Sequence, residues 1–440
     1  MTPDTGTVPA AAGLLRFATA GSVDDGKSTL VGRLLHDSKS VPTDQLQAVE
    51  RVSKERGQDT PDLALLTDGL RAEREQGITI DVAYRYFSTA RRGFILADTP
   101  GHVQYTRNMV TGASTAELAI ILVDARNGVL EQTRRHTAVA ALLRVPHVLL
   151  AVNKMDLVGY SEPVFASVAR EFTACAEALG IDEVTVIPVS ALRGDNVVRA
   201  SARMDWYGGP TVLEHLETVP VRSDPAELAA RFPVQYVIRP QSPLFPGHRT
   251  YAGQIASGIL RTGLRVTVLP SGRSSVITGI DLLGEQVHEA RAPLSVALTL
   301  ADDLDVSRGD LIVPAADPPP LTRNIDATVC HLADRPLRAG APILLKHTTR
   351  TVQAVVEEIP YRYALDGTAP HPLPGRLTAN DIGRVVLRTA EPLAVDPYAE
   401  NRGTGCFLLL DPADGTTLAA GMAGESFTAR GGGSDRGDGP

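Results

Sequence analysis

The stretch GSVDDGKSTLVGRLLHDS, residues 21–38, constrains the fold of this 440-residue chain more than any other. Gly21 and Gly26 bracket four residues, and Lys27, Ser28 and Thr29 follow at once. The apolar run LLRFATA leads into this loop, and the amphipathic STLVGRLLHDS leaves it, so the pattern is strand, glycine loop, helix. That is the context a phosphate-binding loop requires. Glycines let backbone N–H groups converge on anionic oxygens, the helix dipole favours the anion, and Lys27 adds a point charge near the β- and γ-phosphates. Ser28 offers a hydroxyl to Mg²⁺. Only five of the 43 basic residues are lysines, so a lysine at this position is hard to read as incidental. Gly21, Ser22, Val23, Asp24, Asp25, Gly26, Lys27, Ser28 and Thr29 are the candidate phosphate-loop contacts.

A phosphate loop does not name the base. VNKMD, at the end of the apolar run VPHVLLAV, supplies that information through Asn153, Lys154 and Asp156. Guanine presents two adjacent donors, N1–H and the exocyclic amine, which the Asp156 carboxylate can accept together, whereas adenine offers an acceptor there. A site built to pair one polar edge rejects the other by about 10⁴–10⁵-fold, because mismatched groups are left buried and unpaired. Ser190, Ala191 and Leu192 end the next apolar run and can bring backbone N–H groups near the base oxygen. The same three residues equally suit a plain strand end.

Between these motifs lie groups suited to sensing a γ-phosphate. FILADTPGH ends a strand with Asp98, which can hold Mg²⁺ through water, and Gly101 can bring its amide to the phosphate. EREQGITID offers Thr79 as a second hydroxyl for the metal. Both lie on presumed loops that a γ-phosphate can order and its loss release. His102 stands where a nucleoside triphosphatase needs a residue to orient the attacking water. The expected ligands are therefore GTP and Mg²⁺, with His102, Lys27, Thr79 and Gly101 as the catalytic set and Ser28, Thr79 and Asp98 at the metal.

The rest of the chain sets the architecture. Up to about Leu216, LLRFATA, FILADTP, ELAIILVDA, VPHVLLAVNK and VTVIPVSA alternate with amphipathic segments, the signature of a parallel sheet flanked by helices. From Phe232 the texture changes to β-branched runs broken by glycine, which reads as a small β-barrel, and a second follows the proline cluster PAADPPPLTRN. The expected fold is an α/β P-loop GTPase domain with a parallel-type sheet over 14–220, then β-barrels over 231–317 and 322–422, with disordered ends at 1–13 and 423–440. Three scattered cysteines make neither a zinc pattern nor a disulfide framework and suit buried positions in a reducing cytosol. No run approaches the roughly 18 apolar residues of a membrane span, and the chain begins without a basic-then-apolar leader, so a cytoplasmic protein is expected. The net charge of -8 argues weakly against an extended nucleic-acid groove.

The order Gly21–Ser28, Thr79, Asp98–Gly101, Asn153–Asp156 and Ser190–Leu192 resembles the translation-factor class of GTPases typified by elongation factor Tu. Longer runs resemble one relative more closely, the GTPase (large) subunits of bacterial sulfate adenylyltransferase. Those runs include GSVDDGKSTL, DLALLTDGLRAEREQGITIDVAYRYFST, DTPGHVQYTRNMVTGASTAELAI, DARNGVLEQTRRH, GDNVVRASARMDWYGGPTVLEHLETV and DDLDVSRGDLIV, and the resemblance spans about Leu14 to Met422. It implies GTP hydrolysis coupled to formation of adenosine 5′-phosphosulfate and pyrophosphate from ATP and sulfate on a separate small subunit, in a hetero-oligomer without nucleic acid or membrane. It also places Val23 and Ile78 as apolar neighbours of His102. Some relatives carry a fused adenylylsulfate kinase; no second phosphate loop follows Met422, so kinase activity is not expected. PLFPGHRTYAG and LTANDIG depart from the family texture. The runner-up reading is a translation factor carrying aminoacyl-tRNA, for which KHTTRT, residues 346–351, would be a basic patch; an exposed strand is the plainer reading of that stretch.

Overall fold

The structure, a computed structural model, describes residues 13–55, 61–66, 82–101, 106–221, 224–239, 249–364, 371–372 and 375–424. Thr79, Ile78, His102 and most of the variant 243–253 loop lie outside these residues, as do 1–12 and 425–440. The described residues up to Val221 form one compact unit and those from Asp224 onward a second.

The first unit is built on six strands: β1 (Leu15–Gly21), β2 (Ala83–Ser88), β3 (Gly93–Asp98), β4 (Leu118–Asp124), β5 (His147–Asn153) and β6 (Val184–Pro188), in the spatial order β2-β3-β1-β4-β5-β6. β1 pairs in parallel with β3 and β4, and β5 in parallel with β4 and β6. The edge strand β2 runs antiparallel to β3, so the sheet is mixed rather than wholly parallel. β4 lies between β1 and β5 and is buried at every position, which is why its sequence LAIILVD is an unbroken apolar run. Among the described residues six α-helices accompany the strands: α1 (Lys27–Asp37), α2 (Thr43–Glu55), α3 (Thr106–Ala113), α4 (Glu131–Leu142), α5 (Glu162–Ala178) and α6 (Val212–Thr218). α1 buries Leu30, Val31, Leu34 and Leu35 on one stripe against a core that includes Phe17, Phe87 and Phe94. Full burial of each such side chain is worth about 1.5–3 kcal/mol. This anchors the helix whose first turn follows the glycine loop. Because β1, β3, β4 and β5 run in parallel, Gly21, Asp98, Asp124 and Asn153 all finish at one sheet edge, the edge where ligands bind in such folds.

The second unit holds two β-rich halves, each with its own apolar core. In the first, pairing runs from Phe232–Pro233 through Leu311–Pro314, Arg265–Leu269, Arg273–Leu282, Ser295–Leu300 and Thr250–Gln254 to Tyr236–Ile238. The two ends of that path belong to a single stretch of chain, Phe232–Ile238, so the chain itself links the ends of the sheet. In the other half, Pro342–His347, Cys406–Leu410, Thr417–Ala423, Leu321–His331, Ile382–Ala394 and Arg350–Arg362 pair in turn, and the last returns to the first, closing a six-stranded barrel. Alternation along Arg350–Arg362 puts Val352, Ala354 and Val356 inside. Ala423, placed by sequence at the start of a disordered tail, ends the Thr417–Ala423 strand, and the Gly424 N–H donates to Asp326 O at 2.8 Å. The tail reading therefore misjudged that residue, whose backbone pairs with a neighbouring strand.

KHTTRT is the turn of a β-hairpin, with His347 opposite Arg350. His347 is buried and faces Thr404 O at 2.7 Å, and Arg350 bonds Asp310 and Glu391. The exposed-strand reading suits this stretch better than a basic patch.

Candidate nucleotide-binding site

The glycine loop adopts the conformation its sequence demands. Gly26 caps α1 in the left-handed region, φ 91°, and a Cβ there would meet Asn153 Nδ2 at 2.5 Å, so a side chain is excluded on two grounds. Asp24 also lies at positive φ, 63°. Within the loop the Ser22 N–H donates to Asp25 Oδ2 at 2.6 Å, and burial pushes the Asp25 carboxyl above its ordinary range against opposing pulls that include Lys27 and Lys154. No side chain caps the N-terminus of α1 and no acid sits in its first turn. α6 shows the contrast: its N-cap, Thr211, accepts from the Glu214 N–H at 3.2 Å while Glu214 Oε2 accepts from the Thr211 N–H at 2.8 Å. The end of α1 is left open to an anion.

Lys27 lies across this opening, 7 % exposed. Its ammonium donates to Gly21 O at 2.9 Å and Ser22 O at 2.8 Å, and among the described residues no carboxylate forms an ion pair with it. Burial lowers its pKa, while Asp98, Asp25 and Asp24 act to raise it. Ser22 Oγ is buried without a hydrogen-bond partner among the described residues. Gly101 comes so close that a Cβ would lie 2.3 Å from Lys27 Nζ and 2.9 Å from Gly21 O. Asp98, 2 % exposed at the end of β3, accepts from Thr19 Oγ1 at 2.8 Å, an orienting contact the sequence reading did not foresee. Ser28 and Thr29 are half-buried in the first turn of α1, and Val23 stands exposed.

The NKMD stretch is bound to the glycine loop by side chains. Asn153 Nδ2 donates to Asp25 O at 2.7 Å, and Lys154, itself at φ 62°, donates through Nζ to Asp24 O. Ser190 Oγ donates to Asp156 Oδ1 at 2.6 Å, fixing the half-buried carboxylate through one oxygen. The Ala191 N–H donates to Asn153 Oδ1 at 2.9 Å. With Oδ1 held by that donor, the Asn153 side chain is oriented so that its own amide donates to Asp25 O. Arg33 holds the same turn by donating to Ala191 O at 3.2 Å and Leu192 O at 2.5 Å; it lies on α1, remote in sequence, where no local pattern could announce it.

The residues present suit a hard, oxygen-seeking cation as well as a nucleotide: a serine hydroxyl and a buried aspartate lie beside the anion opening. Among the described residues no cluster of three or more His, Cys, Asp or Glu forms a metal cage. Among those residues, too, no helix is long and apolar enough to cross a membrane.

Comparisons with known proteins agree with this geometry. The Elongation factor Tu GTP binding domain family matches residues 13–222, and the GTP-eEF1A C-terminal domain-like family matches 324–423. The Bifunctional enzyme CysN/CysC of Mycobacterium tuberculosis is 54 % identical over 418 residues, 95 % of this chain and 68 % of that enzyme. Sulfate adenylyltransferase subunit 1 of Cellvibrio japonicus is 48 % identical, covering 94 % of this chain and 88 % of that subunit. The Bacteroides fragilis subunit 1 is 51 % identical, covering 93 % and 85 %. Among solved structures, the Saccharomyces cerevisiae Ski7 GTPase-like domain, bound to GDP and inorganic phosphate, overlays with a TM-score of 0.53 at 17 % identity over 94 % of this chain and 97 % of that one, a likeness of fold. With a GTP-binding domain of the elongation factor Tu type and close identity across nearly its whole length, the chain belongs to the sulfate adenylyltransferase subunit 1 family.

Proposed function

We propose that the chain is the GTP-hydrolysing subunit of a two-subunit sulfate adenylyltransferase. A small partner subunit makes adenosine 5′-phosphosulfate and pyrophosphate from ATP and sulfate, and GTP hydrolysis here drives it. The observation that carries the reading is the buried Lys27 ammonium, whose hydrogen-bond partners among the described residues are backbone carbonyls, at an uncapped helix N-terminus beside the NKMD stretch. Lys27 and the first-turn N–H groups of α1 bind the β- and γ-phosphates, and Asp156, set by Ser190, accepts from the guanine N1–H and amine. Ser28, Thr79 and Asp98 hold Mg²⁺, which when bound offsets the negative charge gathering on the phosphate oxygens. Gly101 brings its N–H to the γ-phosphate, and His102 orients the water that attacks it, with Val23 and Ile78 as apolar neighbours. Loss of the γ-phosphate releases the contacts of Thr79 and Gly101, and with them two loops.

The coupling has a chemical reason. A sulfate–phosphate mixed anhydride stores more energy than the phosphoanhydride bond broken in ATP, so adenylylation of sulfate runs uphill. A second hydrolysis pulls it forward where one conformation serves both sites. Three free cysteines among the described residues accord with a place in the reducing cytoplasm. The test mixes the chain with its small subunit and follows pyrophosphate release from ATP and sulfate with and without GTP. A rate that rises with GTP and falls back with GDP is expected; an unchanged rate from a folded pair overturns the reading.

A further inference from the structure

The run DARNG that follows β4 has no part in the function proposed above, yet the structure builds it into the nucleotide site. Asp124, 2 % exposed, stands beside Asn153 in the β4–β5 register. Four donors converge on its carboxylate. The Arg126 backbone N–H and Nε reach Oδ1, each at 3.0 Å; Arg126 Nη2 reaches Oδ2 at 2.6 Å, and Lys154 Nζ reaches Oδ2 at 3.0 Å. Lys154 in turn donates to Asp24 O in the phosphate loop, so one path runs Arg126, Asp124, Lys154, Asp24. Both backbones that this path joins, at Lys154 and Asp24, are non-glycine residues in the left-handed region, at φ 62° and 63°, a conformation that surroundings must hold in place.

We propose that Asp124 and Arg126 are positioning residues for guanine nucleotide: they brace Lys154, and through it fix the spacing between the phosphate loop and the base-reading Asp156. The inference rests on the nucleotide site proposed above. A lysine ammonium is a swivelling point charge on a flexible stem and needs a fixed counter-charge to keep one position. Asp124 supplies that charge. Alone, however, the carboxylate would claim the ammonium for itself; the Arg126 fork already occupies both oxygens, so Lys154 can contact Asp124 and still span to Asp24. The base and the phosphates belong to one rigidly linked ligand, and their two receptors bind it together only at the right separation.

The test is titration of the chain with GTP and with GDP in Mg²⁺, together with steady-state GTP hydrolysis, for Arg126→Ala, Asp124→Asn, their combination and Arg126→Lys. Each of the first two should weaken both nucleotides by about 10-fold, raising KM while kcat is kept. The double variant should be no worse than the weaker single, because with Asp124 neutralised nothing competes for Lys154. Arg126→Lys, which keeps the charge without the fork, should fall between. Affinities within 2-fold of the parent, losses that multiply in the double variant, or a fall in kcat at constant KM overturn the proposal. Asp156→Asn in the same titration separates this from the base-reading account. A switch from guanine toward xanthine nucleotide, alongside normal GTP binding by the Arg126 and Asp124 variants, sinks the brace alone; no switch sinks the base reading itself.

Discussion

Two buried cations, one in each unit, show how the same physical problem is settled for structure and for ligand. Arg231, in the second unit, bonds Asp396 in two places, Nε to Oδ2 at 3.0 Å and Nη2 to Oδ1 at 2.9 Å, with side-chain exposures of 4 % and 7 %. Its Nη1 also donates to Ala230 O and Asp317 O, and Asp396 accepts from Thr404 Oγ1. Charge and hydrogen-bond capacity are nearly used up, as a buried ion pair requires if it is not to cost stability. Lys27, in the first unit, is as deeply buried but has two carbonyls and no paired carboxylate among the described residues. Among the described residues one buried cation has no directly paired carboxylate, at the proposed anion site, and the other has its pair complete. An unfinished buried charge is thus a mark of binding, and a finished one a mark of architecture.

The comparison breaks or sharpens by mutation. The largest effect is expected at the finished pair: Asp396→Ala strands a buried guanidinium and should lower unfolding stability by about 3–5 kcal/mol, read from urea midpoints. A loss below about 1 kcal/mol would make the pair a bystander. Lys27→Met should do the reverse, changing the stability of the nucleotide-free chain by no more than about 1–2 kcal/mol, since only two carbonyl bonds are lost while a buried charge is removed. It should still cut GTP affinity by 10²-fold or more, a figure of about 3 kcal/mol from charged hydrogen bonds. Strong destabilisation without loss of binding would erase the distinction.

A smaller effect concerns His136 on α4, buried outright, with Gln132 Nε2 donating to its Nε2 at 3.0 Å and Nδ1 without a partner among the described residues. Burial, with lesser repulsion from Lys27 and Arg135, holds its pKa down at about 3 against an ordinary 6.5. The unfolded chain takes up this proton below pH 6.5 and the fold refuses it, so the stability tied to the neutral ring is full above 6.5. It is lost as pH falls from 6.5 toward 3, by at most about 1.4 kcal/mol per pH unit. Urea unfolding at pH 7, 6 and 5 should show a shallower fall for His136→Gln than for the parent; identical slopes would show that the ring does not sense the charge around it.

Much of the candidate site was legible because its signals are local. A glycine loop between an apolar strand and a helix, and NKMD at a strand end, each carry their chemistry within a few consecutive residues. Contacts made across the sheet were not legible. Thr19 on Asp98, Arg33 on the Ser190–Leu192 turn and Lys154 on Asp124 join residues by partnerships that periodicity does not encode. The bond from the Ala191 amide to Asn153 was not legible for the same reason: its partner lies on a different strand. Strand β2 escaped notice because only Phe87 of AYRYFS is buried, leaving an edge strand with almost no apolar stripe. The barrels were read from glycine-punctuated β-branched runs, but the closing of the second ring by Pro342–His347 against Arg350–Arg362 is a matter of register, visible only in three dimensions.

The central claim is that the Lys27 ammonium, without a paired carboxylate among the described residues, is held for a guanosine triphosphate. Calorimetric titration of the folded chain with GTP and then with ATP, both with Mg²⁺, tests it most directly. One GTP per chain should bind, with ATP about 10⁴-fold weaker; a folded chain that takes up neither nucleotide, or takes up both equally, contradicts the account.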